Sequence, residues 1–115
     1  MHTWIKIKIK LPTESDNKRF NWYLYTVAFE DNSTRDKAKG KMIEKGIGAT
    51  VYYDPPVHQT PYYSKMIKEL SYENNKGNNL ARTEQSARQV LSLPVHPLVK
   101  GDDIENMGNI IKEIN

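Results

Sequence analysis

The chain has 115 residues, of which 37% are hydrophobic and 27% charged, with a formal charge of +3 and no cysteine. That length builds a single domain around one core, and the missing cysteine excludes disulfides, thiolate catalysis and sulfur-ligated zinc, leaving oxygen and imidazole chemistry. The small positive charge permits nucleic-acid contact without demanding it.

No stretch reaches the roughly 18 apolar residues that span a bilayer, and the opening MHTWIKIKIK lacks the continuous apolar run of a signal peptide. We therefore expect one domain over residues 1–115, cytoplasmic and without a membrane partner. His2, His58 and His96 are too scattered for a metal-ligand spacing, and neither HExxH nor a carboxylate-rich calcium loop is present, so no metal ligand is assigned. The apolar residues fall in periodic blocks despite a mean hydropathy of −0.75, the pattern of a polar but foldable chain.

In residues 3–11, Ile5, Ile7 and Ile9 alternate with Lys6, Lys8 and Lys10, so a strand would put the isoleucines on one face and the lysines on the other. This suits an edge strand, where lysine deters aggregation. Residues 12–19 carry Pro12, Ser15, Asp16 and Asn17 and read as a turn region. Residues 20–29 (FNWYLYTVAF) are apolar or aromatic at almost every position, which predicts a central strand covered on both faces. Ser33, with Asp36 three residues on, predicts the N-cap of a helix that runs to Lys45 and ends at the left-handed Gly46, with Ala38, Met42 and Ile43 facing inward. Residues 47–53 read as the next strand, and its closeness to the preceding strand and helix predicts a β-α-β crossover.

The carboxyl end of that strand leads into a loop holding Tyr52, Tyr53, His58, Gln59, Tyr62 and Tyr63, stiffened by Pro55, Pro56 and Pro61. So many polar rings in so few positions suggest a binding surface, and ligand sites of α/β sheets gather at the carboxyl ends of strands. Residues 62–70 can form a short helix, with Tyr62 and Tyr63 anchoring it through their rings. SYENNKGNNLA reads as a mobile surface loop. Thr83 predicts the N-cap of a helix through Val90, followed by an extended piece over 91–94. Residues 102–114 form an amphipathic helix with Ile104, Met107, Ile111 and Ile114 on one stripe and an acidic start that suits the helix dipole. The expected fold is α/β, a small sheet of three to four strands with helices packed against it.

Two stretches together, EKGIGATVYYDPPVHQTPYY and TEQSARQVLSLPVHPLVKGDDIENM, resemble the carboxyl-terminal part of the DegT/StrS family of sugar aminotransferases, enzymes that use pyridoxal phosphate. The ordered set includes Arg35 with the helix after it, Lys45-Gly46-Ile47, Pro56-Val57-His58-Gln59, Pro61-Tyr62-Tyr63, residues 84–88, Leu91-Ser92-Leu93-Pro94 and His96-Pro97. FNWYLYTVAF looks like the strand that opens this domain in the family. The resemblance implies the α+β small domain of a fold type I aminotransferase without its larger cofactor-binding domain. In the family the Schiff-base lysine, the aspartate paired with the pyridine nitrogen and most phosphate ligands belong to that large domain. The resemblance therefore assigns this chain no catalytic or cofactor-binding residue, and leaves pyridoxal phosphate to a parent enzyme. It also implies a homodimeric parent, an amino donor, and a nucleotide-linked keto sugar as substrate in amino-sugar or surface-polysaccharide biosynthesis. Without the cofactor as electron sink and a lysine to move the proton, the chain alone should not transaminate.

Its share would be the substrate pocket. In the family a His-Tyr pair after the Gly-Ile element commonly reaches the diphosphate of the nucleotide sugar, and Tyr52 and Tyr53 hold those positions here. Tyr53 fits the pattern, whereas Tyr52 replaces the histidine with a phenol that donates one hydrogen bond but cannot become cationic. His58 matches the family's Pro-x-His element and would lie near the sugar or order the loop, with Gln59 beside it. Read without the family, Tyr52 and Tyr53 are equally a strand end with one ring packed inside, His58 a structural cap of the proline-rich loop, and His96 structural.

The main rival is a nucleic-acid-binding ferredoxin-like module, in which Trp22, Tyr23, Tyr25 and Phe29 stack bases beside the lysine row. Those rings fall on both faces of the predicted strand and RNA-recognition motifs are missing, so no nucleic-acid partner is expected. A stand-alone interaction domain derived from an aminotransferase tail is the third reading.

Overall fold

Two short antiparallel strands carry the architecture. In the computed structural model, which describes residues 8–70 and 80–114, β1 (Tyr25–Ala28) pairs with β2 (Val90–Leu93) so that Tyr25 lies opposite Leu93 and Val27 opposite Leu91. Alternation puts those four side chains on one face, against which the helices pack, and Thr26 and Ser92 on the other. There the two hydroxyls meet at 2.8 Å, giving the buried Ser92 a partner. Single antiparallel bridges extend the sheet on each edge, Lys10 to Ala28 beyond β1 and Thr50 to Ser92 beyond β2.

The sheet is thus two strands with a bridge at either edge, where the sequence predicts three to four strands. Residues 47–53 pair only at Thr50, because Ala49 N–H donates to the Ile47 carbonyl at 3.0 Å and closes a three-residue turn just before it. This segment runs in the direction of β1, as the crossover requires, but β2 lies between the two. Of the predicted strand 3–11, residues 3–7 lie outside the described residues. Residues 71–79 of the predicted surface loop do so as well.

The predicted central strand 20–29 shortens to Tyr25–Ala28, and it is not covered on both faces along its length. Trp22 has φ +51, which turns the chain out of the extended region, and the Asn21 side chain accepts from Tyr23 N–H at 3.1 Å, a local bond that competes with a ladder. Phe20, Trp22, Tyr23 and Leu24 are exposed as a result, with Trp22 stacked on Tyr25 at 5.5 Å.

Helix α1 (Asn32–Glu44) is capped by Asp31, not Ser33: the Asp31 carboxylate accepts from Thr34 N–H at 2.7 Å. Its buried stripe is narrow, Arg35, Ala38 and Met42, at spacings of three and four. Ile43, expected inside, is exposed, since each residue turns roughly 100° and the one after Met42 leaves the stripe. The helix closes in a Schellman motif: Gly46 N–H donates to Ile43 and Ile47 N–H to Met42, with Gly46 at φ +77.

Helix α2 (Pro61–Glu69) starts with Pro61 in its first turn, where a missing N–H costs nothing. Helix α3 (Ala81–Gln89) begins after Leu80, so Thr83 lies in its first turn and is not the predicted N-cap. Helix α4 (Gly101–Glu113) opens with Asp103 accepting from Lys100 N–H at 2.8 Å. It buries Met107, Gly108, Ile110 and Ile111, while Ile104, assigned to the stripe by sequence, is exposed. One core joins Val27, Phe29, Leu91 and Leu93 of the sheet region to Ala38 and Met42 of α1 and Met107, Ile110 and Ile111 of α4. No helix among the described residues is long and apolar enough to cross a membrane.

Leu91 is fully buried at the centre of this core, so Leu91→Ala should cost about 2–5 kcal/mol in urea unfolding, against less than about 0.5 for Tyr23→Ser on the exposed loop. The cap adds a pH signature. Backbone and side-chain hydrogen bonds from Thr34 hold the Asp31 carboxyl below its ordinary value. The stability this contributes is complete above the unfolded pKa of about 4 and is lost as pH falls through the lower folded value. Asp31→Asn keeps an acceptor that does not titrate, so the advantage of wild type over D31N should shrink as urea unfolding is repeated from about pH 6 down to about 2.

Candidate functional site

After Thr50 bridges to β2, the chain leaves the sheet through Val51, which packs on the core, and delivers Tyr52 and Tyr53 to the surface. Tyr52 is 43% and Tyr53 69% exposed, their rings meeting edge to face at 5.3 Å. Neither ring is sealed inside the fold. The next residue explains why two half-free rings hold their place. Asp54 accepts from the Arg35 guanidinium at 2.9 Å, and Arg35 is 3% exposed.

Arg35 uses its planar fork in three directions. Nε donates to Asp36 at 2.7 Å, one terminal nitrogen donates to the carbonyls of Ala87 at 2.9 Å and Val90 at 3.4 Å, and the other reaches Asp54. Those carbonyls belong to the end of α3 and the start of β2, where a helix terminus leaves acceptors unmet. One buried cation therefore ties α1, the α3–β2 junction and the Tyr52–Asp54 segment together. A lysine presents no such fork.

Beyond Asp54 the chain passes two prolines into a short 3₁₀ turn, Val57–Gln59. His58 Nε2 lies 3.0 Å from Glu84 Oε1 of α3; a carboxylate only accepts, so Nε2 carries the proton and donates. This pair fixes the turn against α3. Thr60 Oγ1 donates to the Val57 carbonyl at 2.7 Å and closes the turn from within. His96, read as structural, accepts from Leu98 N–H through Nδ1 at 3.2 Å.

Between these elements opens a cleft of about 710 Å³. Of the four residues the sequence nominates, Tyr52, Tyr53 and His58 line it together, while Gln59 is exposed and outside the lining. Tyr63, Arg82, Thr83 and Ser86 join them across the cleft. Tyr63, expected from sequence to anchor α2 through its ring, lines the cleft as well. Its signal was the Tyr62-Tyr63 pair: neighbouring residues diverge by roughly 100° on a helix, so the two rings do different work. Arg82, Thr83 and Ser86 share one side of α3 at spacings of one, three and four. They would have been found by starting the helix at Ala81.

Residues 4–112 match the model of the DegT/DnrJ/EryC1/StrS aminotransferase family. The chain belongs to that family. It is 35% identical over 89 residues to dTDP-3-amino-3,4,6-trideoxy-alpha-D-glucose transaminase of Streptomyces venezuelae, covering 77% of this chain and 21% of the relative. It is 30% identical over 110 residues to the spore coat polysaccharide biosynthesis protein SpsC of Bacillus subtilis, covering 90% and 26%. Among solved structures, an aminotransferase of the family from Brucella abortus superimposes with a TM-score of 0.73 at 22% identity, over 97% of this chain and 27% of that one. S. venezuelae DesV, solved with a ketimine intermediate, gives 0.71 at 30% identity, over 91% and 26%. The chain spans about a quarter of the length of these proteins. The α+β fold is the one the resemblance implies, with fewer paired strands.

The DegT/DnrJ/EryC1/StrS family is pyridoxal-phosphate dependent, and Spr1654 of Streptococcus pneumoniae is solved in PLP and PMP forms. A Schiff base with that cofactor needs a lysine amine, and none of the described residues lining this cleft is a lysine. The cleft does not fit the cofactor's reactive end.

Replacing Arg35 with methionine strands two carbonyls and two carboxylates. We expect a loss of about 3 kcal/mol in urea unfolding, the low end for breaking a buried pair because both carboxylates stay partly wet. Arg35→Lys should recover only part of it.

Proposed function

We propose that this chain forms one wall of the nucleotide-sugar pocket of a pyridoxal-phosphate-dependent sugar aminotransferase and is not catalytic by itself. The supporting observation is that Tyr52 and Tyr53 reach the mouth of a cleft from a backbone pinned by Asp54 and Arg35. Held phenols donate hydrogen bonds to a phosphate oxygen with little ordering left to do at binding. The name of the S. venezuelae relative, a transaminase of a dTDP-linked amino sugar, supplies the substrate class. In this reading Tyr53 and Tyr52 contact the diphosphate and His58 holds the loop in register through Glu84, while Gln59, outside the cleft lining, makes no substrate contact within it.

The remaining three quarters of such an enzyme would carry the lysine, the cofactor's ring partner and most phosphate ligands, in a cytoplasmic homodimer that also takes an amino donor. The exposed Phe20, Trp22 and Leu24 are where this chain would pack on that larger part. A chain covering a quarter of its relatives leaves ample length for such a partner domain. The same surface weakens the nucleic-acid reading, since Trp22 stacks on Tyr25 and is not free to take a base on that side.

In a complete enzyme containing this chain, Tyr53→Phe should weaken nucleotide-sugar binding by about 0.5–3 kcal/mol, seen as a higher KM with kcat little changed. An unaltered KM would reject the role. The purified 115-residue chain, given nucleotide keto sugar, pyridoxal phosphate and an amino acid, should form no amino sugar.

A further inference from the structure

The cleft is one-sided in charge. Among the described residues that line it, Arg82 alone carries a permanent charge, and no aspartate or glutamate lines it. Arg82 is exposed in the first turn of α3 and has no ion-pair partner among the described residues. The other cationic candidate is already engaged: His58 Nε2 donates to Glu84. Tyr52 and Tyr53 offer phenols, which donate hydrogen bonds but carry no positive charge.

The donors around Arg82 converge on the same space. Thr83 and Ser86 lie on its side of α3, and Tyr52, Tyr53 and Tyr63 face them across the cleft. A guanidinium among hydroxyls, with no carboxylate among the described lining residues, matches an anion with several oxygens; the fork takes two oxygens of a phosphate at once. The aromatic rings beside it offer an apolar face to a sugar or base.

We infer that Arg82 is the anion-binding residue of this cleft and takes the diphosphate of a nucleotide, with the tyrosine hydroxyls flanking it. The inference rests on the reading of the cleft as a nucleotide-sugar wall and places the counter-charge on α3. The carboxylate of an amino acid has related chemistry, so it must be tested beside the phosphate.

The test titrates the full 115-residue chain with dTDP, thymidine and L-glutamate, followed by heteronuclear NMR, for wild type, Arg82→Gln, Arg82→Lys and Tyr53→Phe. Wild type should bind dTDP more tightly than thymidine, with shifts at Arg82, Thr83 and Ser86 that diminish as salt is raised. R82Q should lose about tenfold or more in dTDP affinity and nothing for thymidine, and R82K should fall between, because it keeps charge without the fork. Arg82 is exposed, so R82Q should keep the wild-type fold, which its amide spectrum reports directly. If Y53F weakens dTDP binding and R82Q does not, the Arg82 assignment fails and the proposed wall stands. If neither changes it, or wild type does not distinguish dTDP from thymidine, both fail. A loss confined to L-glutamate would overturn the diphosphate assignment.

Discussion

The guanidinium of Arg35 is the constraint on which the rest of the molecule depends. A cation taken out of water costs several kcal/mol unless its donors are met, and here they are met by two carboxylates and two main-chain carbonyls. Because those acceptors come from separate parts of the chain, satisfying the charge also sets geometry. The α3–β2 junction is held against α1, and Asp54 is held next to the two tyrosines. Among the described residues no buried side-chain polar atom lacks a partner. A buried charge is weak evidence for stability, but here it supplies position.

Around that point the core is modest. β1 and β2 give four inward side chains, α1 contributes a stripe of three residues, one of them Arg35 itself, and α4 adds Met107, Ile110 and Ile111. A sheet this small cannot hold a long surface loop by ladder hydrogen bonds. The loop after Thr50 is instead tethered at two points, Arg35 on Asp54 and Glu84 on His58, and closed from within by Thr60 on Val57. Polar tethers do for the candidate site what strand pairing does for the core. They also leave the faces of Tyr52 and Tyr53 open to the cleft.

Much of this was legible from residue order, and the gaps have physical reasons. Gly46 announces the end of α1 because a left-handed residue completes the Schellman bonds, and the extended piece over 91–94 corresponds to β2 within one residue at each end. The strand over 20–29 was overread because apolar composition does not report φ: Trp22 turns the chain, and Asn21 bonds locally. Ile43 is hydrophobic but lies off the angular stripe of Ala38 and Met42, whereas Ile104 shares the stripe of Met107 and Ile111 but sits in the first turn of α4, ahead of the residues that reach the core. The observed caps precede the predicted ones by two and three residues, Asp31 for Ser33 and Leu80 for Thr83, and the second difference hides Arg82 from the site. Tyr52, Tyr53 and His58 were nominated as a group and share a cleft, but nothing in their spacing could have disclosed that Arg35 and Glu84, distant in sequence, hold them there.

The proposed wall is tested most directly by a crystal structure of a complete enzyme containing this chain, with its nucleotide sugar bound. The account predicts the Tyr53 hydroxyl within roughly 2.5–3.0 Å of a diphosphate oxygen, with Arg35 and Asp54 still paired beneath. A diphosphate bound elsewhere, with the cleft between Tyr52 and α3 filled by protein, would contradict it.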